Sequence, residues 1–373
     1  MMNLGLTIFM IVSSLYDWRS FASSIEVDKG DLRYVPSNEH AVFTYLGRHK
    51  YDEKDQSMQF DFVATGFHVA CTGPGTYVFK MDAGCKDKVR FGVFSANGTL
   101  LGDEFEGRSK GRPENYTVNI SSHHDEGIVL RKITEPFGSC AAVRFYGAFV
   151  PSSALPAASY RSMPRVDFYG DSDTASFGVD GKADEVVRCL ASMSQYENFA
   201  HGWVKAAADS VPFDFSVQAV SGIGVVKNAV DFGTPTLSTK TMPEIHRRNL
   251  QTVDLDDFES IEGPPDLIVV YIGSNDYTNV FPPSHETFGD TYGRMIGSIR
   301  EQYADAVVPV LHICRADHPQ CGPIRSFANA SDVDFYTDTF DGDEPTAGCI
   351  GHRGAEQQKI LAGRMAAVIK GLL

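Results

Sequence analysis

Along this chain the apolar positions follow two successive rhythms. From about Glu26 to Val150 they come in short alternating segments separated by glycine and turn residues, and no helical period interrupts them. Ala41–Tyr45, Phe60–Val63, Tyr77–Lys80, Val89–Phe94, Tyr116–Ile120, Gly127–Leu130 and Ala142–Tyr146 read as strands. Short strands at this spacing predict an antiparallel, jelly-roll-like β-sandwich over residues 25–150. Residues 151–164, rich in proline, serine and alanine, read as a linker.

From residue 165 onward, short apolar runs alternate with helical stretches. Val166–Tyr169, Phe215–Val220, Asp266–Ile272 and Val310–Ile313 are predicted strands. The unbroken apolar run after Asp266 suits a parallel strand buried on both faces. Glu185–Asp209 and His285–Tyr303 are predicted helical, and Ala355–Leu372 is the predicted closing helix, with Ile360, Leu361, Met365, Val368 and Ile369 on one face. The pattern over residues 165–373 is that of a doubly wound α/β domain on a central parallel sheet.

Composition adds a compartment and removes some partners. The apolar run Leu4–Leu15, followed by Ser20-Phe21-Ala22 and Ser23-Ser24, predicts a signal peptide over residues 1–24 and a secreted protein with no stable membrane insertion after cleavage. Asn97, Asn115, Asn119 and Asn329 each head an N-glycosylation sequon, in keeping with that route. The seven cysteines are an odd number, so at least one is left over within the chain; Cys314 with Cys321 and Cys71 with Cys85 are candidate short-loop pairs. A formal net charge of -15 with no basic stripe argues against a nucleic-acid partner, because a polyanion would be repelled. His123–Glu126 and the acidic clusters lack the spacing of a metal site, and the chemistry below needs no cofactor.

Four separated blocks carry that chemistry. Gly170-Asp171-Ser172 ends a strand in a glycine-led turn with a hydroxyl at its apex. Ser221-Gly222-Ile223-Gly224, Gly273-Ser274-Asn275-Asp276 and Cys349-Ile350-Gly351-His352 follow in order. A serine attacks a carbonyl well only when a base takes its proton and donors stabilise the oxyanion. Ser172 is the candidate nucleophile and His352 the general base, then acid. The backbone N–H groups of Ser172 and Gly222 and the side-chain amide of Asn275 are candidate oxyanion donors, with Gly224 the fallback for Gly222. Asp276 is read as pinning its loop. Of the aromatic residues available to stack on a sugar, Trp203, Tyr271, Tyr277, Phe281 and Tyr292, most read as core and Tyr277 as the one facing a ligand.

Ser172, Gly222, Asn275 and His352 together resemble the SGNH, or GDSL-type, serine hydrolases. That family's pattern has an aspartate three residues before the histidine, where this chain has Cys349. Either Asp341 or Asp343 folds back to orient His352, or a backbone carbonyl holds the imidazole and a Ser-His dyad suffices. The Cys-x-x-His block behind a β-sandwich resembles carbohydrate esterase family two, the acetylxylan-esterase-like enzymes. Lys132-x-x-Glu135 and Glu197-Asn198 match further stretches of that family. The resemblance implies a secreted serine esterase that removes acetyl groups from polysaccharide or oligosaccharide hydroxyls. A general short-acyl esterase or lipase, and a carbohydrate-binding protein of weak turnover on the same fold, are the alternatives. Asp173 and Arg353 depart from the family, replacing an apolar residue and a proline; Asp173 is expected to oppose a developing oxyanion or raise the pKa of the base.

Overall fold

A computed structural model describes residues 31–373 apart from 138–139, 155, 158–159, 161–162, 230–239, 254–262, 279, 304–305, 317 and 340–346. Its first half is two antiparallel sheets packed face to face. One sheet contains β1 (Leu32–Pro36), β3 (Lys50–Asp52), β4 (Ser57–Phe60), β6 (Gly75–Asp82), β9 (Glu114–Ile120) and β11 (Val143–Pro151). The other contains β2 (Phe43–Leu46), β5 (Gly66–Val69), β7 (Val89–Ser95), β8 (Phe105–Gly107) and β10 (Ile128–Lys132), with β10 in the middle. Between them Phe43, Phe60, Phe67, Phe79 and Phe145 form one buried aromatic cluster, with Phe67 stacked on Phe145 at 4.1 Å.

The second half is a five-stranded parallel sheet of β12 (Arg165–Gly170), β13 (Asp214–Ala219), β14 (Leu267–Tyr271), β15 (Val310–Arg315) and β16 (Asp334–Thr339). The spatial order is β13-β12-β14-β15-β16, so the chain winds outward in both directions from β12. The crevice at the carboxyl end of β12 is the topological switch point, where such sheets bind ligands.

Helices cover both faces. The short helices α1 (Ser172–Ala175), α2 (Val186–Ala191) and α3 (Met193–Tyr196) precede α4 (Trp203–Ser210), and α8 (Ala355–Leu372) closes the chain. Helices α4 and α8 pack on the face of Val166, Phe168, Val269 and Leu311. On the other face, α5 (Met242–Ile245), α6 (His285–Glu301) and α7 (Cys321–Asn329) cover Tyr169, Ile268, Val270 and Val310. No described helix is long and apolar enough to cross a membrane.

Several expectations need correction. The largely helix-compatible stretch Glu185–Asp209 forms α2, α3, a 3-10 turn and α4 rather than a single helix, because Asn198 caps the turn through Ala200 N–H and Gly202 starts a new helix. In α8, Ile360 is exposed and Gln358 is buried instead, its side-chain oxygen accepting from Trp203 N–H at 3.1 Å. The pairing Cys71–Cys85 does not form: the bridges are Cys85–Cys140, Cys189–Cys349 and Cys314–Cys321, and Cys71 is a buried free thiol. The described part of the predicted linker is tied down, with Ala154 in the sandwich core, Pro156 bridged to Cys71 and Tyr160 Oη donating to Asp214 at 2.6 Å.

Candidate active site

Strand β12 ends at Gly170, where any side chain would collide with the Thr174 hydroxyl at 2.1 Å, so the turn into α1 demands glycine. Asp171 caps α1, its Oδ1 accepting from Asp173 N–H at 3.1 Å, and this sets Ser172 at the head of the helix. From the far end of the chain, His352 arrives just before α8. Its Nε2 lies 2.8 Å from Ser172 Oγ, and its Nδ1 lies 2.9 Å from the Cys349 carbonyl.

That second contact fixes the tautomer. A carbonyl only accepts, so Nδ1 carries the hydrogen and Nε2 is left to accept the Ser172 proton. The imidazole is further held edge-on by Phe177, with ring centroids 4.9 Å apart. Burial pushes the His352 pKa below its ordinary value, against the opposing pull of Asp173. Of the two ways to orient His352, the described residues provide the backbone carbonyl; Asp341 and Asp343 lie outside the described residues.

The oxyanion candidates sit on two loops clamped to one another. Gly222 has φ +80°, in the left-handed region that favours glycine, and a Cβ there would meet nothing within 4 Å. Its need for glycine is therefore conformational rather than steric. The preceding Ser221 is held from the sandwich side, since Glu135 accepts from its N–H at 2.8 Å and from its hydroxyl at 3.2 Å. The far side is held by Asp276, whose carboxylate accepts from the N–H groups of Val225, Val226 and Lys227 at 2.6–2.8 Å. Gly224 is removed as a fallback donor, because its N–H is given to Asn228 at 3.0 Å.

Asn275 is buried with its amide donating to Ile223 O at 2.8 Å and to Asp171 Oδ2 at 3.3 Å. Asp171 also accepts from Ser274 Oγ at 2.8 Å, and burial together with the Asp173 charge raises its pKa to about 7. Tyr277, the expected sugar-facing ring, instead packs against Phe288 and His285 with its hydroxyl buried. Trp203 and Tyr292 are core, and Phe281 is 79% exposed.

Asp173 and Arg353, the two departures beside Ser172 and His352, are partners. Arg353 reaches Asp173 Oδ2 at 3.0 Å and Tyr271 Oη at 3.1 Å, with both charged side chains almost fully buried. Burial works to raise the Asp173 pKa, but Arg353 and His352 outweigh it and hold the carboxyl below its ordinary range. The anticipated repulsion of an oxyanion is thereby largely neutralised within the protein. Opposite charges each next to a catalytic candidate were the sequence signal for this pair.

No family model matches the chain. The acetylxylan esterase / glucomannan deacetylase of Cellvibrio japonicus is 25% identical over 163 residues, 44% of this chain and 43% of that protein. The cellulase/esterase CelE of Acetivibrio thermocellus is 26% identical over 196 residues, 51% of this chain and 22% of that protein. The chain thus spans less than half the length of these curated relatives. A family two carbohydrate esterase from Clostridium thermocellum, solved with cellohexaose, superposes with a TM-score of 0.73 at 19% identity, covering 89% of this chain and 100% of that one. The fold is that of the family two carbohydrate esterases. Within this family two fold, sequence reasoning overlooked Phe177, Ser274 and the Cys189–Cys349 bridge. A bridge between residues 160 apart leaves no local pattern to read.

Proposed function

We propose that the protein is a serine esterase that removes acetyl groups from carbohydrate hydroxyls. The observation that carries this reading is the Ser172 Oγ to His352 Nε2 contact of 2.8 Å in the tautomer that makes Nε2 the acceptor. Ser172 attacks the acetyl carbonyl while His352 takes its proton. The oxyanion draws on the Ser172 and Gly222 N–H groups and the Asn275 amide, each donor being worth about 3 kcal/mol. His352 then protonates the departing sugar hydroxyl, and a water activated by the same imidazole releases acetate from Ser172. The relatives above support the carbohydrate and acetyl parts of the reading.

Secretion belongs to the same proposal. Its support is the apolar run Leu4–Leu15, three disulfides, which persist in oxidising compartments, and exposed asparagines in all four sequons.

The test is acetate release from acetylated xylan, acetylated glucomannan and an aryl acetate, with Ser172→Ala beside the parent. Release by the parent and a loss of at least about 1000-fold in the variant is the expected result. Undiminished release by the variant would sink the serine mechanism. An acyl-chain series should lose rate beyond propionyl; a rate that holds for long chains points to a lipase instead.

A further inference from the structure

Cys349 occupies the position where an aspartate would otherwise orient the base, and the loop around it is built with unusual care. Its sulfur is bonded to Cys189 on α2, and both residues are wholly buried. Its N–H donates to Gly178 O at 3.0 Å, and its carbonyl accepts both the His352 N–H at 3.0 Å and the imidazole Nδ1 at 2.9 Å. Two glycines make room for it. A Cβ on Gly181 would lie 2.0 Å from Cys349 Sγ, and one on Gly178 would lie 2.9 Å from Cys349 Cβ.

The next residue shows that this loop does not rest in a relaxed conformation. Ile350 has φ 52° and ψ 43°, a left-handed backbone that a β-branched side chain rarely adopts, and it persists only where its surroundings over-determine it. Gly351 follows at φ 74°. The covalent anchor one residue upstream is the restraint best placed to hold that geometry.

We propose that the Cys189–Cys349 disulfide is the positioning element for His352, fixing through the backbone the orientation that a carboxylate would fix through its side chain. This rests on the esterase reading for its rate measurements, though not for its structural one. Cys189 touches no substrate and acts only through the Cys349 carbonyl.

Cys189→Ser should lower kcat on an aryl acetate by about 100-fold with KM within about twofold, since a displacement near 1 Å can cost that much. Cys85→Ser/Cys140→Ser, which removes the sandwich bridge, is the control for lost stability alone. Gly181→Ala keeps both cysteines and displaces the bridge, so it should lower kcat in the same sense if Cys189→Ser folds poorly. Hydrogen exchange at residues 348–352 should accelerate in Cys189→Ser but not in the sandwich control. Equal kcat losses in Cys189→Ser and the control, or unchanged exchange in the 348–352 loop, overturns the proposal. If the parent hydrolyses no ester, the esterase reading fails, and loop exchange together with the rate of Ser172 labelling by a fluorophosphonate still decides the positioning role.

Discussion

Arg353 and Asp173 form a buried ion pair whose halves depend on one another. Removing one partner leaves an uncompensated buried charge, at a cost of about 3–5 kcal/mol, whereas removing both spares that cost. Arg353→Met should therefore depress both thermal stability and activity, and Arg353→Met/Asp173→Asn should recover much of each; equal loss in the single and double variants would show that the pairing is unimportant. Asp173→Asn alone addresses the base. The Asp173 carboxylate raises the His352 pKa against burial and the Arg315 charge, so its removal should move the acid limb of the kcat/KM profile to lower pH. A limb that stays fixed or moves up refutes that electrostatic role. Ser172, Gly222, Asn275 and His352 were legible in the sequence because their chemistry demands particular residue types on separated blocks. What holds them was less legible, since Asp173 with Arg353 and Cys189 with Cys349 are contacts made only by the fold.

At the scale of elements, the Ser221–Gly224 turn has a conformation imposed by two separate parts of the chain and by a glycine of its own. Glu135 follows β10 of the sandwich, Asp276 follows β14, and Gly222 supplies the positive φ. Gly222→Ala should cost about 1 kcal/mol through its backbone and reduce kcat by misaligning one oxyanion donor, while substrate affinity changes little. A variant with parental kcat would remove Gly222 from the oxyanion hole. Strong apolar runs such as Leu267–Tyr271 announced the central strands. By contrast β16, with Asp334, Thr337 and Asp338 on an edge that pairs only with β15, carries almost no buried-strand pattern and was missed. Strand β5, also absent from the predicted strands, begins with Gly66, which must be glycine because a Cβ would lie 1.9 Å from Leu130 O, and glycine is a poor strand signal.

Across the whole molecule, the sandwich and the α/β half share a core. Leu46, Val63, Phe94, Val129 and Ile133 pack in the same cluster as Trp203, Phe215 and Leu361. Polar ties cross the seam as well: Arg48 donates to the carbonyls of His246 and Arg248, and Asp61 accepts from Gln251 and Thr252. Near this seam burial raises the Glu135 pKa to about 8 from 4.5, outweighing its Ser221 hydrogen bonds and Lys132. The folded protein then retains a proton that the unfolded chain releases, so this group makes stability fall as pH rises between those two values. Lys132, lowered to about 8 by burial, acts oppositely above that pH. Relative to the parent, Glu135→Gln should therefore gain melting temperature as pH rises from about 5 to about 8; a difference between the two proteins that stays constant over that range would acquit Glu135.

The bridge between Cys189 and Cys349 also sets an order of events during synthesis. Its two halves are separated by 160 residues, and Cys314 and Cys321 leave the ribosome before the correct partner for Cys189 exists. The sandwich and all five parallel strands precede Cys349 in the chain, so the strand that carries the nucleophile and all its neighbours are synthesised before the residue that anchors the base. On the positioning role proposed above, His352 reaches its fixed orientation only after the whole sheet that carries Ser172 has been synthesised.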